Sequence, residues 1–166
     1  MAVRPIRILG DPVLRRKAKR VPKIDASIHK LIETMIDSMR AANGVGLAAP
    51  QIGVSLRVIV IGLPDEEPFA LINPEIVKRS GERRVEEGCL SVPGYRADLS
   101  RSVTVVVKGL DEQGHPVRIK ARDDLLAQAL EHEIDHVNGI LYIDRLPSLD
   151  VLVKVEPQET DEPARS

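Results

Sequence analysis

Residues 123–137 read DDLLAQALEHEIDHV, and this stretch decides the fold. Its apolar side chains fall on more than one side of a helical projection, which is typical of a helix buried on several faces. Asp123 or Asp124 is a suitable N-cap, and Gly139 suits the left-handed turn that ends many helices. The stretch therefore predicts a central helix that the rest of the chain surrounds.

A second helix is predicted upstream, in residues 28–39. Isoleucine, leucine and methionine recur there at i, i+3 and i+4, the spacing of one helix face. Asp25 or Ser27 can cap its first turn. We expect Asn43-Gly44 to end the helix, because glycine accepts the left-handed conformation cheaply.

The other ordered segments have strand patterns. Residues 56–61 are a largely β-branched run, as in a strand buried on both faces. The pattern in 69–77 is weaker, and Pro74 confines it to an edge strand or a bulge. Residues 103–108 and 116–120 flank a polar loop and predict a hairpin. Because helices and strands are mixed without regular βαβ alternation, the predicted class is α+β, with antiparallel or mixed sheets wrapped around the central helix.

Length and composition fit one domain. The chain has 166 residues, of which 43% are hydrophobic, enough to bury a core. We expect a single catalytic domain in residues 1–155 and a disordered acidic tail in 156–166, where no apolar pattern is left. The first 24 residues are basic, and their prolines would interrupt an amphipathic helix, so we interpret them as solvated surface.

Charge and composition argue against several classes of function. The 24 basic and 25 acidic residues give a net charge of −1, which favours neither nucleic acid nor an anionic membrane. With only three aromatic residues, a base-stacking surface is not expected. The apolar runs are far shorter than the roughly 20 residues of a membrane helix, and no signal-peptide pattern is seen. The single cysteine fits a reducing compartment, so we expect a cytoplasmic protein.

Residues 132–136, HEIDH, form an HExxH motif on the predicted central helix. Side chains four apart share one face, so His132 and His136 can bind one metal ion, with Glu133 beside its open position. Three protein ligands leave a fourth position for water, which is the arrangement of a catalytic site. A neighbouring carboxylate can take a proton from that water and return it to a leaving amine. The motif therefore predicts a metal-dependent hydrolase.

The third ligand separates the classes of HExxH enzyme. The metzincin pattern ends in a histidine, whereas this chain has Tyr142 at that position. The candidates for a downstream glutamate ligand, Glu156 and Glu159, lie in a stretch without a helical pattern. The favoured donor is Cys89, because a thiolate binds Zn²⁺ or Fe²⁺ well and the neighbouring Gly88 allows close backbone approach. The alternative is that Cys89 is a small buried apolar residue.

Residues 44–51, GVGLAAPQ, follow the first predicted helix. They lack the later glycine of a dinucleotide fingerprint and the lysine of a phosphate-binding loop. One interpretation is a helix end followed by a turn. The other is that small residues leave backbone groups exposed, along which an extended peptide can pair as an added strand.

Three segments together resemble the peptide deformylase family. They are the GxGxAAPQ motif at 44–51, the EGCLS motif at 87–91 and the HExDH motif at 132–136, in the family's order and spacing. The resemblance extends from about residue 6 to residue 146. It implies a hydrolase that removes the N-formyl group from formylmethionine at the N-terminus of newly made polypeptides and releases formate.

The resemblance also implies how the metal is held. Cys89, His132 and His136 would bind one divalent ion, most often Fe²⁺ in this family. The same donors suit Zn²⁺, Ni²⁺ or Co²⁺, so the sequence does not choose the metal. Glu133 would act as the general acid and base.

Further residues are expected to contact the substrate. The Gln51 side-chain amide and the Leu90 backbone N–H would donate hydrogen bonds to the oxygen that becomes negative during hydrolysis. The segment around Val45 and Gly46 would hold the peptide backbone by strand-like pairing. The remaining candidates are Glu87 and Gly88 beside Cys89, and Leu125 and Ala129, which share the helix face of His132 and could line a slot for the methionine side chain.

Several other charged and polar residues lie near the motifs. We expect Arg96 or Arg101 to pair with Glu87. Glu131 stands where the family usually has glutamine, and the sequence assigns no role to Gln128. Some relatives also end in a long basic helix implicated in ribosome contact. This chain has no pattern of a basic helix there, so we expect no more than a transient contact with the ribosome.

Two other functions share the HExxH motif. A zinc endopeptidase would hydrolyse internal peptide bonds, but the third-ligand patterns of both major groups are missing. A metal-binding module without catalysis would have no use for Gln51 and Glu133, which are both present. We therefore expect a deformylase acting on nascent formylmethionyl polypeptides.

Overall fold

A computed structural model describes residues 2–155, and within this range the chain forms two α-helices and eight β-strands. Helix α1 spans Ala26–Ala41 and helix α2 spans Leu125–Val137. The strands are β1 Gly46–Ala48, β2 Val58–Ile61, β3 Phe69–Ser80, β4 Arg83–Cys89, β5 Val92–Arg101, β6 Thr104–Leu110, β7 Pro116–Arg122 and β8 Val153–Lys154. The acidic tail expected in 156–166 lies outside the described residues.

The strands form two antiparallel sheets. One has five strands in the order β1-β2-β3-β6-β7, and the other has three in the order β4-β5-β8. Every strand pair is antiparallel, which confirms the α+β class. Neither helix of the described residues is long and apolar enough to cross a membrane.

Helix α2 lies between the two sheets, as its sequence predicts. Its N-cap is Asp124, whose carboxylate accepts a hydrogen bond of 2.8 Å from the Ala127 N–H. The side chains of Leu130 and Ile134 pack in one apolar cluster with the five-stranded sheet. The opposite side of the helix meets β4 and β5 through polar contacts. Because α2 touches both sheets, it is the element that positions the site.

The turn after α2 explains the glycine at position 139. Gly139 has a φ of +77°, the left-handed region that favours glycine. A Cβ there would lie 2.7 Å from the Arg15 carbonyl oxygen, too close for any side chain. The predicted helix end is therefore confirmed, and it also allows the N-terminal segment to pass close to α2.

Helix α1 lies on the other face of the five-stranded sheet. Val58 and Val60 of β2 pack against α1, whereas Ile59 packs in the cluster that contains α2. Neighbouring residues of a strand point to opposite faces, so the two helices are on opposite sides of the sheet. The end of α1 differs from expectation, because Asn43, not Gly44, adopts the left-handed conformation, with a φ of +57°.

Pro74 lies at a bulge, which is one of the two positions that the sequence allows. Strand β3 is in the middle of its sheet, between β2 and β6, so the edge alternative does not apply. The bulge is confirmed, because the register with β6 shifts between Ile72 and Glu75. An irregularity in the ladder accommodates a residue that has no N–H to donate.

Candidate metal centre

The three predicted metal ligands come from two elements that meet at the centre of the protein. His132 and His136 lie one turn apart on α2, and Cys89 is the last residue of β4. The His136 Nε2 atom lies 3.3 Å from Cys89 Sγ and 3.1 Å from His132 Nε2. The three donor atoms all lie within 4.8 Å of one another, and all three residues are buried. This is a cluster that could hold one metal ion.

The chemistry of this donor set fits a divalent transition metal. Two ring nitrogens face each other across 3.1 Å, and a sulfur completes the triangle. A thiolate with two imidazoles suits Fe²⁺, Zn²⁺, Co²⁺ or Ni²⁺. A cation between the donors satisfies all of them, whereas a hydrogen bond between the two ring nitrogens can satisfy only one pair.

A buried ion pair supports His132 from behind. The His132 Nδ1 atom lies 2.5 Å from Glu87 Oε2, so its N–H donates to that carboxylate and Nε2 faces the other ligands. Arg101 donates from Nε to Glu87 Oε1 at 3.0 Å, which holds the carboxylate in place. The expected pairing of an arginine with Glu87 is thus confirmed for Arg101, while Arg96 pairs with Glu86 instead. Such outer contacts orient a ligand ring and select its tautomer.

The ion pair continues from Arg101 to the protein surface. Arg101 Nη1 donates to Asp135 Oδ2 at 2.9 Å, and Asp135 also accepts two hydrogen bonds of 2.7 Å from Arg145. Arg101 and Asp135 are buried, whereas Arg145 is partly exposed. Alternating charges therefore connect His132 to solvent through side chains of β4, β5, α2 and the helical turn at 142–145.

The protonation of the cluster follows from burial and these charges. Burial raises the pKa of Glu87, but the charges of His132 and Arg101 outweigh this effect and bring the pKa well below its ordinary value. Burial lowers the pKa of His132, but the negative charges of Glu87 and Glu133 outweigh it and raise the pKa well above its ordinary value. Burial and the charge of His132 lower the pKa of His136. A metal cation would take the place of a proton on His132 Nε2, while the Nδ1–H would stay bonded to Glu87.

Glu133 and Gln51 lie next to the cluster. Glu133 is fully buried, and its carboxylate lies against the backbone of Gly46. Gln51 is also fully buried. Its Oε1 accepts a hydrogen bond of 3.0 Å from Ala48 N, and its Nε2 donates to Ser91 Oγ at 3.1 Å. The same Nε2 atom lies 3.8 Å from Cys89 Sγ, so an amide donor points towards the candidate metal site.

The glycine-rich segment forms an edge strand. Strand β1 pairs with β2 on one side and is the first strand of its sheet, so within the described residues its other edge has no partner strand. Val45 precedes the strand, and its carbonyl accepts a hydrogen bond of 2.8 Å from Gly62 N. Leu90 is in the two-residue turn between β4 and β5, directly after Cys89. Gly46 of the first segment lies against Glu133, and Leu90 of the second directly follows the predicted ligand Cys89.

The other residues that are predicted to contact the substrate differ in burial and location. Leu125 is the first residue of α2 and is exposed, whereas Ala129 is buried in the cluster that packs on the five-stranded sheet. Glu87 is buried behind His132. Gln128, which sequence left without a role, donates from Nε2 to the Glu87 carboxylate at 3.2 Å. Gly88 pairs with Arg96 in the β4–β5 ladder.

Glu131 is buried on the side of α2 away from the metal ligands. It accepts hydrogen bonds from the Ser102 N–H at 2.8 Å and from the Ser102 hydroxyl at 3.0 Å, and it pairs with Arg79. An additional carboxylate at this position is therefore fully used in joining α2 to the loop between β5 and β6.

From the sequence, Asp135 of the HExDH motif is expected to bond local backbone or to steady a ligand, and in the structure it accepts a hydrogen bond from Arg101. Sequence reasoning missed two other residues around the site. Ser91 accepts a hydrogen bond from Gln51, and Arg145 donates to Asp135. Of these two, only Ser91 lies in a motif, EGCLS. The pairing of Arg145 with Asp135 depends on the direction that the chain takes after the turn at Gly139. The sequence predicts the position of this turn but not its direction.

The fold and the site define a metal-dependent hydrolase, in which a helix-borne HExxH motif lies beside a strand-borne cysteine. The model of the polypeptide deformylase family matches residues 3–151, and the chain belongs to this family. This membership confirms the resemblance seen in the three motifs, and it favours the deformylase over the endopeptidase and the module without catalysis.

Similar proteins support the same conclusion. The chain is 56% identical over 160 residues to the peptide deformylase of Dehalococcoides mccartyi (strain CBDB1), which covers 96% of this chain and 95% of that protein. The crystal structure of a peptide deformylase from Legionella pneumophila is 50% identical with a TM-score of 0.85, covering 89% of this chain and 88% of that one. A peptide deformylase from Synechococcus elongatus in complex with actinonin is 43% identical with a TM-score of 0.83, covering 87% of this chain and 79% of that one.

Proposed function

We propose that this protein removes the formyl group from formylmethionine at the N-terminus of newly made polypeptides and releases formate. The observation that carries the proposal is the convergence of Cys89 Sγ and two histidine Nε2 atoms within 4.8 Å of one another, beside the buried Glu133. An HExxH peptidase of the major groups has a histidine or glutamate as third ligand. Here a cysteine takes that place, as the deformylase resemblance implies.

Cys89, His132 and His136 would hold one divalent metal ion. Such an ion would lower the pKa of a bound water towards neutrality, which would supply a nucleophile at neutral pH. Fe²⁺ is the metal we expect, and Zn²⁺, Ni²⁺ and Co²⁺ fit the same donors. Glu87 would hold the His132 ring through the 2.5 Å contact at Nδ1, so we assign it to orienting a ligand instead of contacting substrate.

The reaction needs one proton carrier and two hydrogen-bond donors from the chain. Water attacks the formyl carbon, and the Glu133 carboxylate accepts a proton from it. The same carboxyl group then delivers the proton to the amine nitrogen as the C–N bond breaks. The Gln51 Nε2–H and the Leu90 N–H donate to the formyl oxygen while it carries negative charge. The products are formate and a free N-terminal amine.

The open edge of β1 would position the polypeptide. An extended chain can pair with Val45 and Gly46 as an added strand, which places its N-terminus at the end of the sheet next to Glu133. Backbone pairing does not depend on side chains, so it suits an enzyme whose substrates share only their first residue. Gly88 is proposed to border the same groove, and Leu125 and Ala129 remain the proposed lining of the methionine slot.

The place of the reaction follows from its chemistry. A lone cysteine ligand stays reduced in the cytosol, which is where we expect the enzyme to work. Its partners would be nascent formylmethionyl chains, and contact with the ribosome would be transient.

The test is formate release from formyl-Met-Ala-Ser by protein prepared without oxygen, with metal analysis of the same sample. We expect formate and one equivalent of metal per chain, with Fe²⁺ as the most active form. An acetylated tripeptide and a longer peptide with a blocked N-terminus serve as controls, and both should remain intact. Cleavage of an internal bond, or metal binding without formate release, would contradict the proposal.

A further inference from the structure

One half of the outer face of the five-stranded sheet carries a dense set of positive charges. Helix α1 covers β1, β2 and the start of β3 on this face. On the uncovered half, the register places Lys78 of β3 in line with Val106 of β6 and Lys120 of β7. One row along, Lys108 lies opposite Arg118, and Arg122 of β7 is at the far end.

The N-terminal segment extends this positive region. Two open hollows lie on the uncovered half of the face, and Arg118 lines both of them. Besides the five strand residues, their one other basic lining residue is Arg20. We call these six arginine and lysine residues the basic face.

The charge of this surface is far from the average of the protein. Among the residues that line the two hollows, six are basic and one, Glu75, is acidic. The whole chain has 24 basic and 25 acidic residues, so a random sample of its surface would be nearly neutral. Glu75 is itself engaged, because its carboxylate lies 3.9 Å from Lys108 Nζ. The fold therefore gathers positive residues on one surface, although positive and negative residues are nearly equal in number over the whole chain.

Three exposed cations of the strands have no acidic partner in the described part of the chain. Lys78, Arg118 and Lys120 are exposed, and no carboxylate of residues 2–155 lies within 4.0 Å of their charged groups. Like charges held together on one face repel each other, and a polyanion relieves that repulsion.

We propose that the basic face binds the phosphate backbone of double-helical RNA. Residues of one strand that point to the same face repeat about every 7 Å, so Arg118, Lys120 and Arg122 can contact several phosphates at once. RNA duplexes are recognised mainly by shape and backbone contacts. No aromatic residue lines the two hollows, so the face lacks the stacking surface that single-stranded nucleic acid prefers.

A lipid surface fits the same region less well. Membrane-surface binding by a protein face combines basic residues with large apolar side chains that enter the bilayer. The apolar residue at the centre of the uncovered half is Val106, which is buried beneath its neighbours. Phosphate backbone contact needs only the cations that are present here.

The placement of the face suits an enzyme of nascent chains. The basic face is on the side of the sheet opposite α2, and none of its residues belongs to the metal cluster or to the edge strand β1. RNA bound there leaves the proposed substrate groove open. Nascent polypeptides emerge from a particle covered with double-helical RNA, so binding would raise the local concentration of substrate. Binding of RNA to the basic face does not depend on the proposed function. Only the inference that this binding brings the enzyme close to its substrates rests on that function.

The test compares two variants of equal net charge. The first is Lys78→Glu/Arg118→Glu/Lys120→Glu on the basic face, and the second is Lys30→Glu/Arg40→Glu/Lys154→Glu, whose positions are exposed elsewhere. Affinity for a duplex RNA of about 16 base pairs is measured by fluorescence anisotropy at several salt concentrations. We expect the basic-face variant to lose about tenfold or more in affinity, and the control to lose much less. Each lost contact also reduces the slope of log affinity against log salt by about one.

Other results would overturn the proposal. Equal losses in the two variants would mean that net charge, not the basic face, governs binding. Tighter binding to single-stranded RNA, or binding to phosphatidylserine vesicles without binding to RNA, would assign the face to another partner. The single variant Lys120→Gln carries the same test if the triple variant does not fold. Formate release from the free tripeptide is measured in parallel and should be unchanged, so a failure here is distinct from a failure of the proposed activity.

Discussion

The backbone of Gly46 lies directly against the carboxylate of Glu133. A Cβ at position 46 would be 2.6 Å from Glu133 Oε2, a distance that real Cβ contacts do not reach. The glycine therefore serves the site by leaving room for the carboxylate, in addition to any role in pairing with a peptide. Gly46 and Glu133 are 87 positions apart in sequence. The glutamate leaves no room for a side chain at position 46, and a side chain at position 46 would displace the glutamate carboxylate.

Replacing Gly46 by alanine should therefore displace the Glu133 carboxylate. We expect Gly46→Ala to lower kcat for formate release by about 10²-fold or more, because general acid–base catalysis contributes about 10²–10⁴ and needs exact placement. Metal content should stay at the wild-type ratio, since the three ligands are untouched. Normal turnover in this variant would show that the contact has no effect on the proton carrier.

Glu133→Gln tests the carboxylate directly. Glutamine has nearly the same shape but cannot accept and return the proton. We expect the metal-to-protein ratio to be retained and formate release to fall by about 10²–10⁴. The two quantities are measured on one preparation. Retained turnover would remove Glu133 from the mechanism.

Cys89→Ala tests the third ligand. The variant leaves two imidazoles, which hold a divalent ion far less firmly than three donors, so metal content should fall sharply. Glu133→Gln is the matched control, because it alters a buried neighbour without removing a donor. An unchanged metal-to-protein ratio in Cys89→Ala would exclude the thiolate as a ligand.

Arg101→Met tests the buried ion pair behind His132. The substitution leaves the carboxylates of Glu87 and Asp135 buried without their shared cation, and loss of one partner of a buried pair costs about 3–5 kcal/mol. Urea unfolding measures the change in free energy. The control is Arg84→Met in the neighbouring strand, where the arginine is exposed and a change within about 0.5 kcal/mol is expected. Equal effects of the two substitutions would contradict a special role for Arg101.

The N-cap of α1 should make stability depend on pH. Hydrogen bonds from the Ser27 hydroxyl and the Ile28 N–H lower the pKa of Asp25 below its ordinary value. A lowered pKa in the folded protein means that the carboxylate stabilises the fold above its unfolded pKa, and that this contribution is lost as the pH falls through the folded value. Asp25→Ala should therefore lower the unfolding temperature at pH 7, and its difference from wild type should shrink below about pH 4.

The matched control for this prediction is Asp25→Asn. Asparagine caps helices about as well as aspartate but does not titrate, so its effect at pH 7 should be smaller than that of alanine. Unfolding temperatures of the three proteins are compared across the pH series. A constant difference between wild type and Asp25→Ala from pH 7 to pH 3 would argue against the carboxylate charge.

Local patterns predicted the elements that carry strong signals. The cap at Asp124, the apolar sides of α2 and the glycine after it placed the central helix, because these effects act within a few residues. Strands β4 and β5 were missed. Strand β4 reads RRVEEGC, so charge hides the alternation that marks a strand, and it becomes a strand by pairing with β5.

Sequence alone determined the chemistry that this protein can perform, since the spacing of His132, Glu133 and His136 on a helix fixes which face they share, and three motifs identified the family. Only the tertiary structure decided what surrounds that chemistry. The pairing of Arg101 with Glu87 and Asp135, and the line of Lys78, Val106 and Lys120 across three strands, depend on strand register and on the packing of α2 between two sheets. Those relationships join residues far apart in the chain, and their energies come from burial and charge that exist only after folding.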